Sequence, residues 1–462
     1  MRFPLEQKKY HFHFVGIGGI GMSALAYALA TLGHFVTGSD IKADFYTKKF
    51  LENAGVKIYV GHSADNISSS IDIGVISTAI DPNNPEIVAL KSYNKPIVHR
   101  SQILGAFSKA NTTIGVTGSH GKTTLTYYIA RILLDALIDP SIIIGATVKE
   151  LLGNNARVGG NTLVAEIDES DKSLLNTFPD YAVIHSIDLE HMDHYGSYEE
   201  IYNTFVKYAL KVPWWGYSFF NVDYKDLAHM SKEIEDNNIP VVRYGLLGKY
   251  HDVAPDYVGD VNLEHNEMTI YRMGDPIAKL SLKYPTYYNF ENALAAFAVA
   301  HTIGIGTPII VSALENASMP GRRLEHKGYW KGALVLEDYA HHPREIEMLL
   351  DGIRSIYPGY KVVGVLQPHR YSRVKVLWGD FRRVIRKFDR CLVMPIYPAS
   401  EHPIDGVTSE NLINGIENSN LANWNNIKDL LSITIDELEI PVVVVLIGAG
   451  DVYKVWSFLS NK

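Results

Sequence analysis

The stretch Thr112-Thr113-Ile114-Gly115-Val116-Thr117-Gly118-Ser119-His120-Gly121-Lys122-Thr123-Thr124 decides the fold. Its first six residues are mostly β-branched and read as a strand. The next four turn, and a long helical pattern opens at Lys122. Strand, glycine turn and helix in that order build a phosphate-binding loop. Backbone N–H groups cradle an anion, Lys122 sets a cation near the β and γ oxygens of a nucleotide, and the Thr123 hydroxyl reaches Mg2+. The strict Walker pattern is not met, because Val116 stands where its first glycine belongs.

The same alternation extends to both sides. Upstream, a strand at 11–15 enters Gly16-Ile17-Gly18-Gly19-Ile20-Gly21, a helix covers 22–32, and a strand at 34–37 ends at Gly38-Ser39-Asp40. Strands at 56–59, 71–77 and 97–99 carry a parallel βαβ arrangement to about residue 107. Taken alone, this glycine cluster reads as a dinucleotide site, with Asp40 where a ribose-binding acid belongs. A structural glycine turn is the plainer alternative. Downstream, strands at 162–167 and 181–188 are central, and 260–282 alternates as an inserted antiparallel hairpin. Helices at 289–303 and 307–317 close this unit near Arg323. The last segment repeats the pattern, with strands at 334–337, 361–366, 390–395 and 442–447. The expected fold is α/β, with three domains each on a mostly parallel sheet. They are 1–107, Rossmann-like; 108–323, P-loop ATPase-like; and 324–462, Rossmann-like.

Polar clusters fall at strand ends, where open α/β sheets bind ligands. Glu166-Ile167-Asp168-Glu169-Ser170-Asp171 leaves an apolar strand. Its acids repel one another unless a cation neutralises them, which points to a divalent metal. Glu190-His191-Met192-Asp193-His194 follows the next strand, and His191 is its better ligand candidate. The last segment offers Glu337-Asp338-Tyr339-Ala340-His341-His342-Pro343, Gln367-Pro368-His369-Arg370-Tyr371-Ser372-Arg373 and Gly448-Ala449-Gly450-Asp451. Each alone reads as loop chemistry. On one sheet edge they suit anionic substrates.

Bulk properties exclude other classes. The 462 residues are 47% hydrophobic and 20% charged, which describes folded domains. A net charge of −8 argues against nonspecific nucleic-acid binding. The longest apolar run, near 442–447, is far short of the ~20 residues of a membrane span. The polar start of the chain lacks the apolar core of a signal peptide. Cys391, the single cysteine, reads as a buried strand thiol in a reducing compartment. The expectation is a cytoplasmic protein acting on small molecules, a monomer or homodimer, without nucleic-acid or membrane partners.

In this order, the Gly16–Met22 loop, 118–124, 166–171, His191-Met192-Asp193, Gly321-Arg322-Arg323, 338–343, 367–373 and 448–451 resemble the Mur ligase family, over nearly the whole chain. The resemblance implies an ATP- and Mg2+-dependent ligase of peptidoglycan precursor synthesis. Its N-terminal domain would hold UDP-N-acetylmuramate through Gly16, Gly18, Gly19, Gly21, Met22 and Asp40, so the glycine loop serves a diphosphate and not NAD. ATP would meet Gly118, His120, Gly121, Lys122, Thr123, Thr124, Asn289, Asn292, Arg323 and Asp338. Thr123, Glu166 and His191 would hold the metal. Tyr339, His341, Arg370 and Arg373 would hold the amino acid. The resemblance assigns catalysis to Lys122, Glu166, His191, Arg323, His341, His369 and Arg370. The stretches 155–157, 395–398 and 403–406 resemble members that add L-alanine, which implies an amide formed through an acyl phosphate.

Three positions depart from the family pattern: Ser119 replaces a usual Thr, Ala340 a usual Gly, and Tyr288 a common His before Asn289. The last puts one nucleotide contact in question. An alternative within the family attaches the tripeptide L-Ala-γ-D-Glu-meso-diaminopimelate to the same sugar. The stretches 169–171 and 367–370 favour alanine. A folate polyglutamylating ligase is disfavoured by the UDP-type first domain. A catalytically inert nucleotide-sugar binder is opposed by Lys122, Glu166, His191 and Arg323. An NAD oxidoreductase leaves the Lys122 loop unexplained.

Overall fold

Runs of β-branched and apolar residues too short for helices pair as strands, and the glycine-opened segments between them coil into helices that cover both faces. The computed structural model describes residues 8–188, 195–249, 252–399, 401–438 and 441–460. In the first sheet, β1 (His11–Val15), β2 (Phe35–Asp40), β3 (Lys57–Val60), β4 (Ile73–Ile76) and β5 (Ile97–His99) lie in the order β3-β2-β1-β4-β5, all parallel. The winding direction switches between β1 and β4, which opens a crevice where β1 runs into Gly16.

The second sheet contains β6 (Thr112–Thr117), β7 (Ser141–Val148), β8 (Asn154–Arg157), β9 (Thr162–Glu166), β10 (Tyr181–Ile184) and β11 (Tyr217–Asn221). It continues with β12 (Val241–Leu246), β13 (Tyr257–Asn262), β14 (Glu267–Arg272) and β15 (Asp275–Leu280). The order is β15-β14-β13-β12-β11-β10-β6-β9-β7-β8. β6 lies between parallel β9 and β10, and Val116 is opposite Glu166. That register sets the acidic strand end beside the phosphate loop. The hairpin expected at 260–282 is present, as β14 and β15 pair antiparallel, and it continues the sheet edge: β13 pairs parallel with β12 and antiparallel with β14. One half-exposed face gives these strands their alternation.

The third sheet runs β16-β17-β21-β18-β19-β20, from β16 (Glu325–Trp330), β17 (Ala333–Asp338), β18 (Lys361–Leu366), β19 (Arg390–Val393), β20 (Ser419–Leu421) and β21 (Val442–Ile447). Only β16 is antiparallel among its described strands. β17 and β21 are buried along their whole length. Cys391 is buried on β19, and burial pushes its thiol up from the ordinary range.

Three sheet domains form two compact units. One, reaching to Lys283 and including Asn289–Ser318, holds the first two sheets; the other, Tyr284–Tyr288 with Met319–Lys462, holds the third. The first two sheets share an apolar core that includes Phe12, Phe14, Leu25, Ile143, Ala156 and Phe205. The helix Ile20–Thr31 packs on β7 and β8, and buried Asn155 donates to the Ile20 carbonyl at 2.7 Å and to Ser23 Oγ at 3.2 Å. Among the described residues, no helix is long and apolar enough to cross a membrane.

Candidate active site

Gly118 leaves β6 at φ 135°, and a Cβ there would lie 2.7 Å from the Ser186 backbone nitrogen. Only glycine lets the loop approach that strand end so closely. Ser186 stitches the loop in place. Its Oγ accepts from the His120 N–H at 2.7 Å, and its carbonyl accepts from the Ser119 N–H at 3.1 Å. The strand expected over 181–188 therefore stops at Ile184, because the following backbone turns to bond the loop. Gly121, at φ 82°, precedes the helix Lys122–Asp135, and no side chain caps it. The first-turn N–H groups and the helix dipole form an anion cradle.

Lys122 reaches back across this cradle. Its Nζ donates to the Gly118 carbonyl at 2.5 Å and is 2.9 Å from Glu169 Oε2. Burial opposes its charge, yet the carboxylates of Glu169, Asp168 and Glu166 hold it above the ordinary lysine range. Thr123 Oγ1 donates to Glu166 Oε1 at 3.0 Å, and Glu166 Oε2 accepts from the Gly145 N–H at 2.7 Å. His120 Nε2 is 2.9 Å from Asp188 Oδ2, and Thr124 is buried. Asn289 and Asn292 are buried on the helix Tyr287–Thr302.

The acidic strand end has cationic partners from elsewhere in the chain. Arg100 lies 2.7 Å from Asp168 and 3.7 Å from Asp171, while Lys122 pairs with Glu169. The protein's own cations thus pair with three of the acids, two positive charges against three, so the segment is partly neutralised by the chain itself and still carries net negative charge. Among the described residues, no three His, Cys, Asp or Glu side chains form a metal cage. The adjacent hard oxygens of Thr123 and Glu166 remain suited to a divalent cation. His191, with Glu190, Met192, Asp193 and His194, lies outside the described residues.

At the first sheet, the Gly16 and Ile17 N–H groups donate to the Ser39 carbonyl at 2.8 Å each. Asp40 Oδ2 accepts from the Gly18 N–H at 2.9 Å, and a Cβ on Gly18 would meet that oxygen at 2.8 Å. Asp40 Oδ1 accepts from the Lys42 N–H at 2.9 Å. Asp40 thus fastens the loop in addition to any role as the substrate-binding acid expected from the sequence. Gly19 precedes the helix Ile20–Thr31 without a side-chain cap, Gly21 lies in its first turn, and Met22 is buried.

Sequence reasoning missed Glu86, which is fully buried behind this loop. It accepts from Ser39 Oγ at 2.5 Å and Asn66 Nδ2 at 2.6 Å, with His62 Nδ1 at 3.3 Å and His13 Nε2 at 3.5 Å. Burial works against its charge, but hydrogen bonds from His13, Asn66 and Ser39 hold the carboxyl at about 2. Its sequence signal, Asn84-Pro85-Glu86, is also that of an ordinary helix start, which it forms.

In the other unit, Tyr339, His341, His369 and Arg373 do come together. His341 meets Tyr339 edge-on at 5.4 Å and His369 at 5.7 Å, and His369 stacks on Tyr397 at 5.5 Å and 7°. Arg373 Nη1 is 3.3 Å from His369 Nδ1. Burial, then Arg373 and Arg370, push His369 down to about 3, and burial also drives His341 well below its usual range. Both rings are neutral near pH 7. Arg370 takes φ 69°, a strained value for a residue with a Cβ, and its N–H donates to the Tyr397 carbonyl at 2.8 Å. Asp338 accepts from the Leu324 and Ala340 N–H groups at 2.9 and 2.8 Å, and burial raises its carboxyl. The Arg323 guanidinium lies 5.4 Å from the Tyr339 ring centre.

Sequence models of the family match the chain in order. Those described as Mur ligase family, catalytic domain; Mur ligase middle domain; and Mur ligase, glutamate ligase domain cover 11–112, 116–300 and 322–450. A UDP-N-acetylmuramate–L-alanine ligase of Desulforapulum autotrophicum is 39% identical over 98% of this chain and 99% of its own. The crystal structure of a UDP-N-acetylmuramate–alanine ligase from Thermotoga maritima superposes with a TM-score of 0.80 at 25% identity, over 97% of this chain and 98% of that one. A murein peptide ligase from Psychrobacter arcticus shares the fold, with a TM-score of 0.76 at 21% identity over 98% and 99% of the two chains. With its three sheets and phosphate loop matched by these domains in sequence, the chain belongs to the Mur ligase family.

Proposed function

We propose that this chain is a cytoplasmic, ATP-dependent ligase of peptidoglycan precursor synthesis, joining the carboxylate of UDP-N-acetylmuramate to the amine of L-alanine. The observation that carries the reading is the Lys122–Thr123–Glu166 arrangement at the end of β6 and β9, on a chain whose 39%-identical relative bears that activity in its name. The murein peptide ligase shares the fold at lower identity, so the tripeptide reading gains nothing specific.

In this reading 1–107 holds the UDP substrate, 108–323 the ATP, and 324–462 the amino acid. A carboxylate is a poor electrophile, so it first attacks the γ-phosphorus of ATP, giving an acyl phosphate and ADP. Lys122 and the N–H groups of 118–123 stabilise the charge spread over the transferred phosphoryl group. Thr123 and Glu166, with His191, would hold a Mg2+ ion, which when bound screens the phosphate oxygens. Asn289, Asn292, Arg323 and Asp338 take the nucleotide. The amine then attacks the acyl carbon, the tetrahedral oxyanion collapses, phosphate leaves and the amide remains. Tyr339, His341, His369, Arg370 and Arg373 orient the amino acid, and their cations favour the oxyanion.

Phosphate release from ATP with UDP-N-acetylmuramate tests this against L-alanine, L-serine, glycine and the tripeptide. Release coupled to amide product with L-alanine is expected. Release that prefers the tripeptide, or ignores the amino acid, would sink the reading.

A further inference from the structure

The proposed reaction leaves Arg100 unused, although it lies where the first two sheets meet. It opens the helix Arg100–Ala110 directly after β5. Its Nη2 lies 2.7 Å from Asp168 Oδ2 and 3.7 Å from Asp171 Oδ2, both beyond β9 of the other sheet. Its Nη1 runs along the glycine loop: a Cβ on Gly21 would sit 3.5 Å from it. Both acids are held from behind. Asp168 Oδ1 accepts from the Ser170 N–H at 3.0 Å, and Asp171 accepts from Thr78 Oγ1 at 3.1 Å and the Ser173 N–H at 3.0 Å. His99 Nε2 is 3.5 Å from Asp171, so the end of β5 and the start of the following helix contribute one side chain each to this junction. The guanidinium is 17% exposed and Asp171 2%, while Asp168 is 37% exposed, so the Asp171 side of the junction is shielded from salt and the Asp168 side meets solvent.

One fork therefore pairs with the acidic segment that carries Glu166 and Glu169 and lies alongside Gly21, in the first turn of the helix that follows the loop assigned to the diphosphate. We infer that Arg100 is a coupling residue that makes binding of the UDP substrate and of the nucleotide mutually favourable; this rests on the function proposed above. Each ligand orders one side of the Arg100–Asp168 pair. The second ligand then meets a site already ordered through the shared contact. Because coupling is reciprocal, the factor by which the nucleotide tightens the UDP substrate equals the factor in the other direction.

Calorimetric titration measures both. UDP-N-acetylmuramate is titrated with and without a saturating non-hydrolysable ATP analogue and Mg2+, and the analogue with and without the sugar nucleotide. The wild-type chain is expected to show a coupling factor of about five or more, equal in both directions. Arg100→Ala and Asp168→Asn should bring it to about one, with each ligand's affinity measured alone falling less than about threefold. Arg100→Lys keeps the charge but not the fork, and should fall between; it also stands in should Arg100→Ala fail to fold. Wild-type binding of both ligands without coupling, or coupling unchanged in Arg100→Lys and Asp168→Asn, overturns the assignment. A wild-type chain that binds neither ligand overturns the function reading itself.

Discussion

The Thr123 hydroxyl donates to Glu166 Oε1 across 3.0 Å and so joins the first turn of the phosphate-loop helix to the end of β9. The Gly145 N–H on Glu166 Oε2, at 2.7 Å, fixes the other oxygen. A carboxylate clamped this way presents its remaining lone pairs in one orientation. Glu166→Gln replaces one acceptor with a donor and removes the charge. The variant is expected to fold, to need at least about tenfold more Mg2+ for half-maximal phosphate release, and to lose turnover. A magnesium titration of ATP-dependent phosphate release checks this, and an unchanged half-point would separate Glu166 from the metal.

Glu86 gives a prediction about acid stability. Its folded-state value of about 2 lies below the ordinary 4.5. The sign follows: a depressed carboxyl stabilises the fold fully above pH 4.5, and that contribution is lost as pH falls through 2. Glu86→Gln should flatten this part of the thermal-unfolding profile. Glu86→Ala strands the Ser39 and Asn66 donors and is expected to cost about 1–3 kcal/mol for each. Since the Ser39 carbonyl holds the Gly16 and Ile17 N–H groups, the KM for the UDP substrate should rise while that for ATP stays put. A parallel rise in both would reduce Glu86 to a general core residue.

Much of this was legible in the sequence because the chemistry is local. The strand–glycine–helix order around Lys122 and around Gly16 fixed both loops, and the apolar run of β21 needed no context. What escaped depends on pairing across long separations. The alternation of 260–282 carries no information about which edge it joins. The repulsion argument at 166–171 did not foresee that Arg100, 68 positions away from Asp168, supplies one cation beside the acids. Asp40 reads identically whether its oxygens face a ribose or the Gly18 N–H. Glu86 is hidden in an ordinary helix start, and its burial follows only from packing behind β2.

Gly118→Ala tests the phosphate loop through sterics alone. The new Cβ would lie 2.7 and 2.8 Å from the Ser186 backbone nitrogen and oxygen, at a φ of 135° that residues with a Cβ rarely take. Neither contact can be relieved by a side-chain rotation. Nucleotide binding is expected to be lost, while UDP-N-acetylmuramate binds as it does to the wild-type chain without nucleotide. Gly379→Ala is the control: nothing lies within 4 Å of its Cβ, in the helix Trp378–Ile385. It should stabilise the protein by about 0.5–1 kcal/mol without touching activity. Calorimetry and thermal unfolding read both.

The stacked pair His369–Tyr397 makes the last prediction. Tyr397 supports the loop proposed for the amino acid twice, through its ring against His369 and through its carbonyl on the strained Arg370. With His369 held at about 3 by burial and by Arg373 and Arg370, the imidazole does not titrate near neutrality. The sign here is that of a lowered base: protonation is disfavoured in the folded state, so stability is full above pH 6.5 and falls toward pH 3. The KM for L-alanine should therefore show no His369 inflection between about pH 6 and 8. Tyr397→Leu removes the stacked ring but keeps the backbone bond to Arg370. It should raise the KM for L-alanine, leave those for ATP and the UDP substrate unchanged, and admit water to the imidazole. Hydration lifts its pKa toward 6.5, so a new inflection should enter the alanine KM profile from the acid side. A flat profile with an unchanged alanine KM would remove Tyr397 from the amino-acid site.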